Sequence, residues 1–212
     1  EQIKMRYDLL IKNGLVYIDG GFKRLDIAVA NEKIVALLQP DHAESAEKEL
    51  DATGKYVLPG MIDFHCHVRE PGKQAEKETY ETISKAAANG GITMICTMPN
   101  GLLRSLADPE SYQMAIDAGE ANSVVDFHPA ASPMGFEKGN VAELAKKTAF
   151  FKLHQANFPN VPMEESFGTM DSYVLDRCLA EVAKTGRYIG VHPTDGSYNA
   201  GTKKAVQESD IP

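Results

Sequence analysis

Cysteine is scarce: Cys66, Cys96 and Cys178 are the only three in 212 residues. They are too few and too scattered for a disulfide framework or a zinc knuckle, and they read as reduced thiols of a cytoplasmic protein. Long apolar runs are also missing. None approaches the ~20 residues a membrane-spanning helix needs, and the opening Glu1-Gln2-Ile3-Lys4-Met5 carries no export-signal core. That opening has no initiator Met, so residues are expected upstream. Basic residues are outnumbered, 22 Lys and Arg against 30 Asp and Glu, for a net charge of −8. With no basic stripe, nucleic acid is excluded as the main partner. A small anion is not, because a local Arg decides that more than global charge does.

What remains is an ordinary globular composition, 43% hydrophobic and 25% charged. Residues 1–56 predict a small β unit. Strand candidates at 7–12, 15–18, 25–29 and 33–38 are separated by turn signals at Asn13-Gly14 and Asp19-Gly20-Gly21. From 57 to 212 the pattern alternates. Strands are expected at 61–68, 92–97, 123–128, 150–154 and 188–192, and helices at 75–89, 109–119, 141–147 and 172–185. Strand–helix alternation predicts a parallel sheet in an α/β fold. A TIM-type β/α barrel typically takes roughly 250 residues, so this segment is expected to hold only about its first five βα units.

The polar residues sit late in the strands, the catalytic side of a β/α barrel. His65 and His67 are two apart, so both imidazoles share one face and can reach one point. They are either a metal pair or two polar residues at a strand end. Cys66 points the other way, which argues against it as a ligand. Asp63 shares the histidine face and either orients an imidazole or makes an ordinary hydrogen bond. Lys152 lies inside Phe150-Phe151-Lys152-Leu153, where an unpaired ammonium is costly. It either snorkels or pairs, or is a functional lysine that is neutralised or modified. His192 is a third strand-end imidazole on this face, with His154 and His128 as weaker candidates. His42, in a polar loop, is expected to face solvent. Arg69 suits a substrate carboxylate or a structural salt bridge, and Asn100 offers an amide to the same pocket.

With these residues placed, the chain resembles the amidohydrolase superfamily, and within it the cyclic amidases: dihydroorotase, allantoinase and dihydropyrimidinase or hydantoinase. The likeness runs from about Tyr7 to about His192. Its most specific segment is Gly60-Met61-Ile62-Asp63-Phe64-His65-Cys66-His67-Val68-Arg69-Glu70-Pro71-Gly72, supported by Ala86 to Thr93 and by Met98-Pro99-Asn100. Arg before Glu-Pro-Gly is most like dihydroorotase, whereas allantoinases often lack that Arg. Gly101 after Met-Pro-Asn, where dihydroorotases usually have Thr, and Pro193-Thr194 after His192, where Ala-Glu is usual, are departures.

The resemblance implies that His65 and His67 bind one zinc. It implies that Lys152, carboxylated by carbon dioxide, bridges two, and that His192 binds the second. Arg69 and Asn100 would hold the carboxylate of dihydroorotate. Residues 7–55 would be the N-terminal part of a small β-sandwich beside the barrel. The activity implied is hydrolysis of a small cyclic amide, with dihydroorotate of pyrimidine synthesis as the first expectation and allantoin or hydantoins next. A non-catalytic scaffold or partner subunit is the reading from another class. A catalytic Asp from strand eight and a His from strand six have no counterpart before Pro212, so the 212 residues alone are expected to lack a complete site. An open half barrel would leave apolar surface and sheet edges uncovered, so a homo-oligomer or a partner is expected.

Overall fold

A computed structural model describes residues 7–42, 44–72, 74–99, 101–155, 171–194 and 196–207. The chain divides into two compact units, Glu1–Pro59 and Gly60–Pro212.

The first unit is one five-stranded sheet. Strands β1 (Tyr7–Ile18), β2 (Gly21–Ala30) and β3 (Lys33–Leu38) form an antiparallel meander, while β4 (Ala46–Asp51) and β5 (Tyr56–Val57) run parallel to β1. Asp19-Gly20 closes the first hairpin with both residues at positive φ, the conformation that matches strand twist. Asn13-Gly14 is not a turn. The register shifts between Ile11 and Gly14 while β1 continues, so Asn13, at φ 66, serves a bulge instead. Asp26 explains why the chain does not reverse there. Its carboxylate, 1% exposed, accepts the Asn13 N–H at 2.7 Å. A Cβ on Gly14 would come 2.6 Å from Val57 Cγ2, so glycine lets β5 pack against β1.

His42 does not face solvent. Its Nε2 lies 3.0 Å from Asp26 Oδ2 and its Nδ1 accepts the Glu44 N–H at 3.0 Å. A partnered carboxylate held in the sheet overrides the polarity of the loop sequence. Asp26→Ala would strand the Asn13 N–H and the His42 ring together. It is expected to cost about 2–4 kcal/mol, since each buried unsatisfied group costs about 1–3. Urea unfolding of the whole chain checks this, and a loss below ~0.5 kcal/mol would show that Asp26 is not a hub.

The second unit alternates strand and helix: β6 (Met61–Cys66), α1 (Tyr80–Asn89), β7 (Ile92–Thr97), α2 (Pro109–Asn122), β8 (Asp126–Pro129), α3 (Asn140–Leu144), β9 (Phe150–His154), α4 (Ser172–Ala183), β10 (Tyr188–His192) and α5 (Gly196–Gln207). Strands β6-β7-β8 pair in parallel, as do β9-β10, and a parallel bridge between Ala131 and Phe151 carries the chain-order sequence across the gap. This is the α/β alternation expected from the hydrophobic pattern.

The helix starts follow from their caps. Asp108 accepts the Ser111 N–H ahead of Pro109, and Asp171 accepts the Val174 N–H. Helix α1 begins at Tyr80 rather than at residue 75 because Thr79 forms a capping box with Thr82. The Glu70 carboxylate also accepts the Tyr80 N–H at 3.1 Å. Val68, Tyr80, Ile95, Leu106, Tyr112 and Phe151 fill the main core between strands and helices. The outer strands leave Ile62, Phe64 and Tyr188 exposed. Among the described residues, no helix is long and apolar enough to cross a membrane.

Candidate metal centre

The C-terminal ends of β6, β9 and β10 carry the expected residues. His65 and His67 have ring centroids 5.4 Å apart. Cys66, between them, turns to the core and reaches the Cys96 carbonyl at 3.4 Å, and burial pushes its thiol up to about 12. It is therefore a partly buried, neutral thiol rather than a metal-binding thiolate. Asp63 accepts the His65 backbone N–H on Oδ1 at 2.9 Å, and its charge also acts on the His65 imidazole.

Lys152 is 6% exposed. Burial holds its ammonium below the ordinary lysine value, and no described carboxylate forms an ion pair with it. Strands β9 and β10 run in register, Lys152 opposite Gly190 and His154 opposite His192. The rings of His154 and His192 stack with centroids 4.1 Å apart and planes 13° from parallel. A cavity of about 330 Å³ opens here, lined by His65 and Lys152 with Phe64, Met98 and Phe150.

Electrostatics tie the groups together. Burial, then Arg69, His65, Lys152 and His192, depress His67 to about 4. Burial, then His192, Lys152 and His67, depress His154 to about 4. His65 is lowered by burial and by Lys152 and His192, with Asp63 opposing. At neutral pH His67 and His154 are therefore uncharged, the form a metal takes.

His67 Nδ1 is buried without a hydrogen-bond partner, an unmet need that a metal ion would satisfy. Among the described residues, no three His, Cys, Asp or Glu side chains already cage an ion. Instead, two histidine pairs, His65 with His67 and His154 with His192, lie around a buried lysine. Such a set fits a metal only if the lysine becomes an anionic ligand.

The mouth is built from the Arg69-Glu70-Pro71-Gly72 loop. The Arg69 N–H donates to the Glu78 carbonyl at 3.0 Å, and Glu70 Oε1 accepts from Asn122 at 3.3 Å, tying the loop to α2. The Arg69 guanidinium lies on the backbone of Gly101. A Cβ there would fall 2.1 Å from Nη1, and Gly101 sits at φ +87. Asn100 lies outside the described residues. His128 is structural, its Nε2 accepting the Ala149 N–H at 2.8 Å. From sequence His154 is a weaker candidate, yet it joins the cluster. The signal available was its i, i+2 spacing from Lys152 on one strand face.

Residues 54–130 match the family model for dihydro-orotase-like proteins. The chain is similar to an allantoinase of Bacillus licheniformis, 35% identical over 192 residues, covering 89% of this chain and 42% of that protein. It is also similar to an allantoinase of Salmonella choleraesuis, 42% identical over 140 residues, covering 66% of this chain and 30% of that protein. Among solved structures it resembles the D-hydantoinase (dihydropyrimidinase) from Thermus sp., with a TM-score of 0.77 and 27% identity over 94% of this chain and 43% of that one. The L-hydantoinase (dihydropyrimidinase) from Arthrobacter aurescens shares the fold, with a TM-score of 0.81 at 24% identity over 97% of this chain and 45% of that one. The chain spans 42% of the length of the B. licheniformis relative it matches.

Proposed function

Because the chain belongs to the cyclic amidase group of the amidohydrolase superfamily, we propose that its 60–212 unit carries half of a two-metal centre that hydrolyses the amide bond of a small ring. In this reading the five consecutive parallel strands are the first βα units of a TIM-type barrel, and the 1–59 sheet is the N-terminal part of a small β-sandwich. The observation that carries it is Lys152: 6% exposed, without a described counter-ion, and grouped electrostatically with His65, His67 and His154. A depressed pKa supplies the neutral amine that attacks carbon dioxide; the N–C bond forms, a proton leaves, and the lysine ends as an anionic carbamate. That anion would remove the cost of a buried cation and would serve as a metal ligand. His65 and His67 would hold one ion and His192 the other, and zinc would suit imidazole and carboxylate-type oxygen ligands. When bound, such ions lower the pKa of a water and polarise the ring carbonyl.

The substrate reading shifts from the one Arg69 suggested. The relatives are named allantoinases and hydantoinases, so a hydantoin-type ring is better supported than dihydroorotate. Assay of the metal-reconstituted protein on allantoin, hydantoins and dihydroorotate decides it. Turnover of dihydroorotate alone would reverse the order, and a folded, zinc-supplemented protein inert on all three would favour the scaffold reading.

One observation keeps a carboxylate-bearing ring in play, namely the fixed Arg69 guanidinium on Gly101. Gly101→Ala is expected to displace it and to weaken binding of a carboxylate-bearing ring by about 10- to 100-fold, the worth of a charged hydrogen bond. Neutral rings should be unaffected. Equal loss for both classes would remove Arg69 from substrate recognition.

A further inference from the structure

We propose that His154 is a positioning residue for His192, a flat surface that holds the second metal-binding imidazole in orientation. The inference rests on the reading of His192 as a metal ligand. The rings lie nearly parallel, 13° apart, at 4.1 Å. Parallel rings at that spacing point their lone pairs side by side, so the two nitrogens do not converge on one ion. Stacking, and not shared ligation, is what this geometry supplies.

His192 needs such support. It ends β10, which pairs in register with β9. Pro193 follows and cannot extend the ladder. Its backbone is held on one side, where the His192 carbonyl accepts the Gln155 N–H at 2.9 Å. The register that sets His192 opposite His154 brings the two rings together on the face that Lys152 shares with His154. A ligand imidazole free to turn about χ2 binds its ion weakly, and loss of an orienting partner typically costs about 10- to 100-fold in metal affinity. The stacked ring contact is what orients His192 in this proposal, so another flat aromatic ring should serve.

The test compares His154→Ala with His154→Phe in the purified protein, by zinc titration and by NMR of the His192 ring. His154→Ala should weaken the second zinc about tenfold or more, leaving the first unchanged. It should also move the His192 Hε1 signal out of the ring current. His154→Phe should keep both the affinity, within about threefold, and the shifted signal, because an aromatic face remains. Equal loss of zinc in both variants would overturn the proposal and make the His154 nitrogen itself a ligand. An unchanged second zinc in His154→Ala would also overturn it. The metal-free signal reads the stack independently. A parent protein that shows the ring-current shift yet binds no zinc would sink the metal reading itself, not the stacking geometry.

Discussion

A Lys152→Ala protein is expected to lose the second zinc and at least about four orders of magnitude in ring hydrolysis. That loss corresponds to ~5 kcal/mol of barrier, within the range that electrophilic and nucleophile-generating metal chemistry supplies. Lys152→Arg should do no better, because a guanidinium keeps its proton and cannot add carbon dioxide. Stability should move the other way. In the metal-free protein the ammonium is 6% exposed with no described counter-ion, a destabilising arrangement. Lys152→Met, of similar shape, is expected to raise metal-free stability by about 1 kcal/mol while abolishing metal bridging, as when buried charges are replaced by apolar groups. A fall in both would mean that Lys152 makes a structural contact, and the metal reading would lose its support.

One position earlier, Phe151→Ala is expected to cost about 3–5 kcal/mol, the range for truncating a buried Phe. Phe151 is fully buried in the main core, and it also forms the bridge to Ala131 that links β8 to β9. Urea denaturation should show a lower midpoint with little change in slope. A loss below ~1 kcal/mol would contradict the packing described. Neighbouring positions are thus expected to do opposite things: Phe151 to stabilise the fold, and Lys152 to cost stability for the proposed site.

The parts visible in sequence are those written in side-chain periodicity. The β9 and β10 strands, and the start of α4 behind its Asp171 cap, follow directly from apolar runs and capping residues. What escaped was written elsewhere. Strand β4, Ala46-Glu47-Lys48-Glu49-Leu50-Asp51, is mostly exposed and pairs with β1 through its backbone and through polar side chains, Glu49 to Lys12 and Asp51 to Asn13, so no apolar alternation marks it. The 3-10 turn at Leu103–Leu106 takes Arg104, Ser105 and Leu106 through positive φ. That conformation costs roughly 1–2 kcal/mol per residue, and no glycine signals it. Asn13-Gly14 has the residues of a hairpin turn, but a buried Asp26 twelve positions beyond Gly14 claims its N–H for a bulge. At the site, β spacing indicated the shared face of His65 and His67. The stack of His154 on His192 needed the register between two strands separated by a helix, which local patterning cannot supply.

A carbamate on Lys152 among the histidines is the centre of the proposed site. Its most direct test is the carbon-13 spectrum of zinc-reconstituted protein in labelled bicarbonate, read beside zinc content. The expected result is a slow-exchanging carbamate carbon that appears with zinc, disappears with a chelator and is absent in Lys152→Arg. A folded protein that holds its zinc with no such signal, or that gains the signal equally in Lys152→Arg, would contradict it.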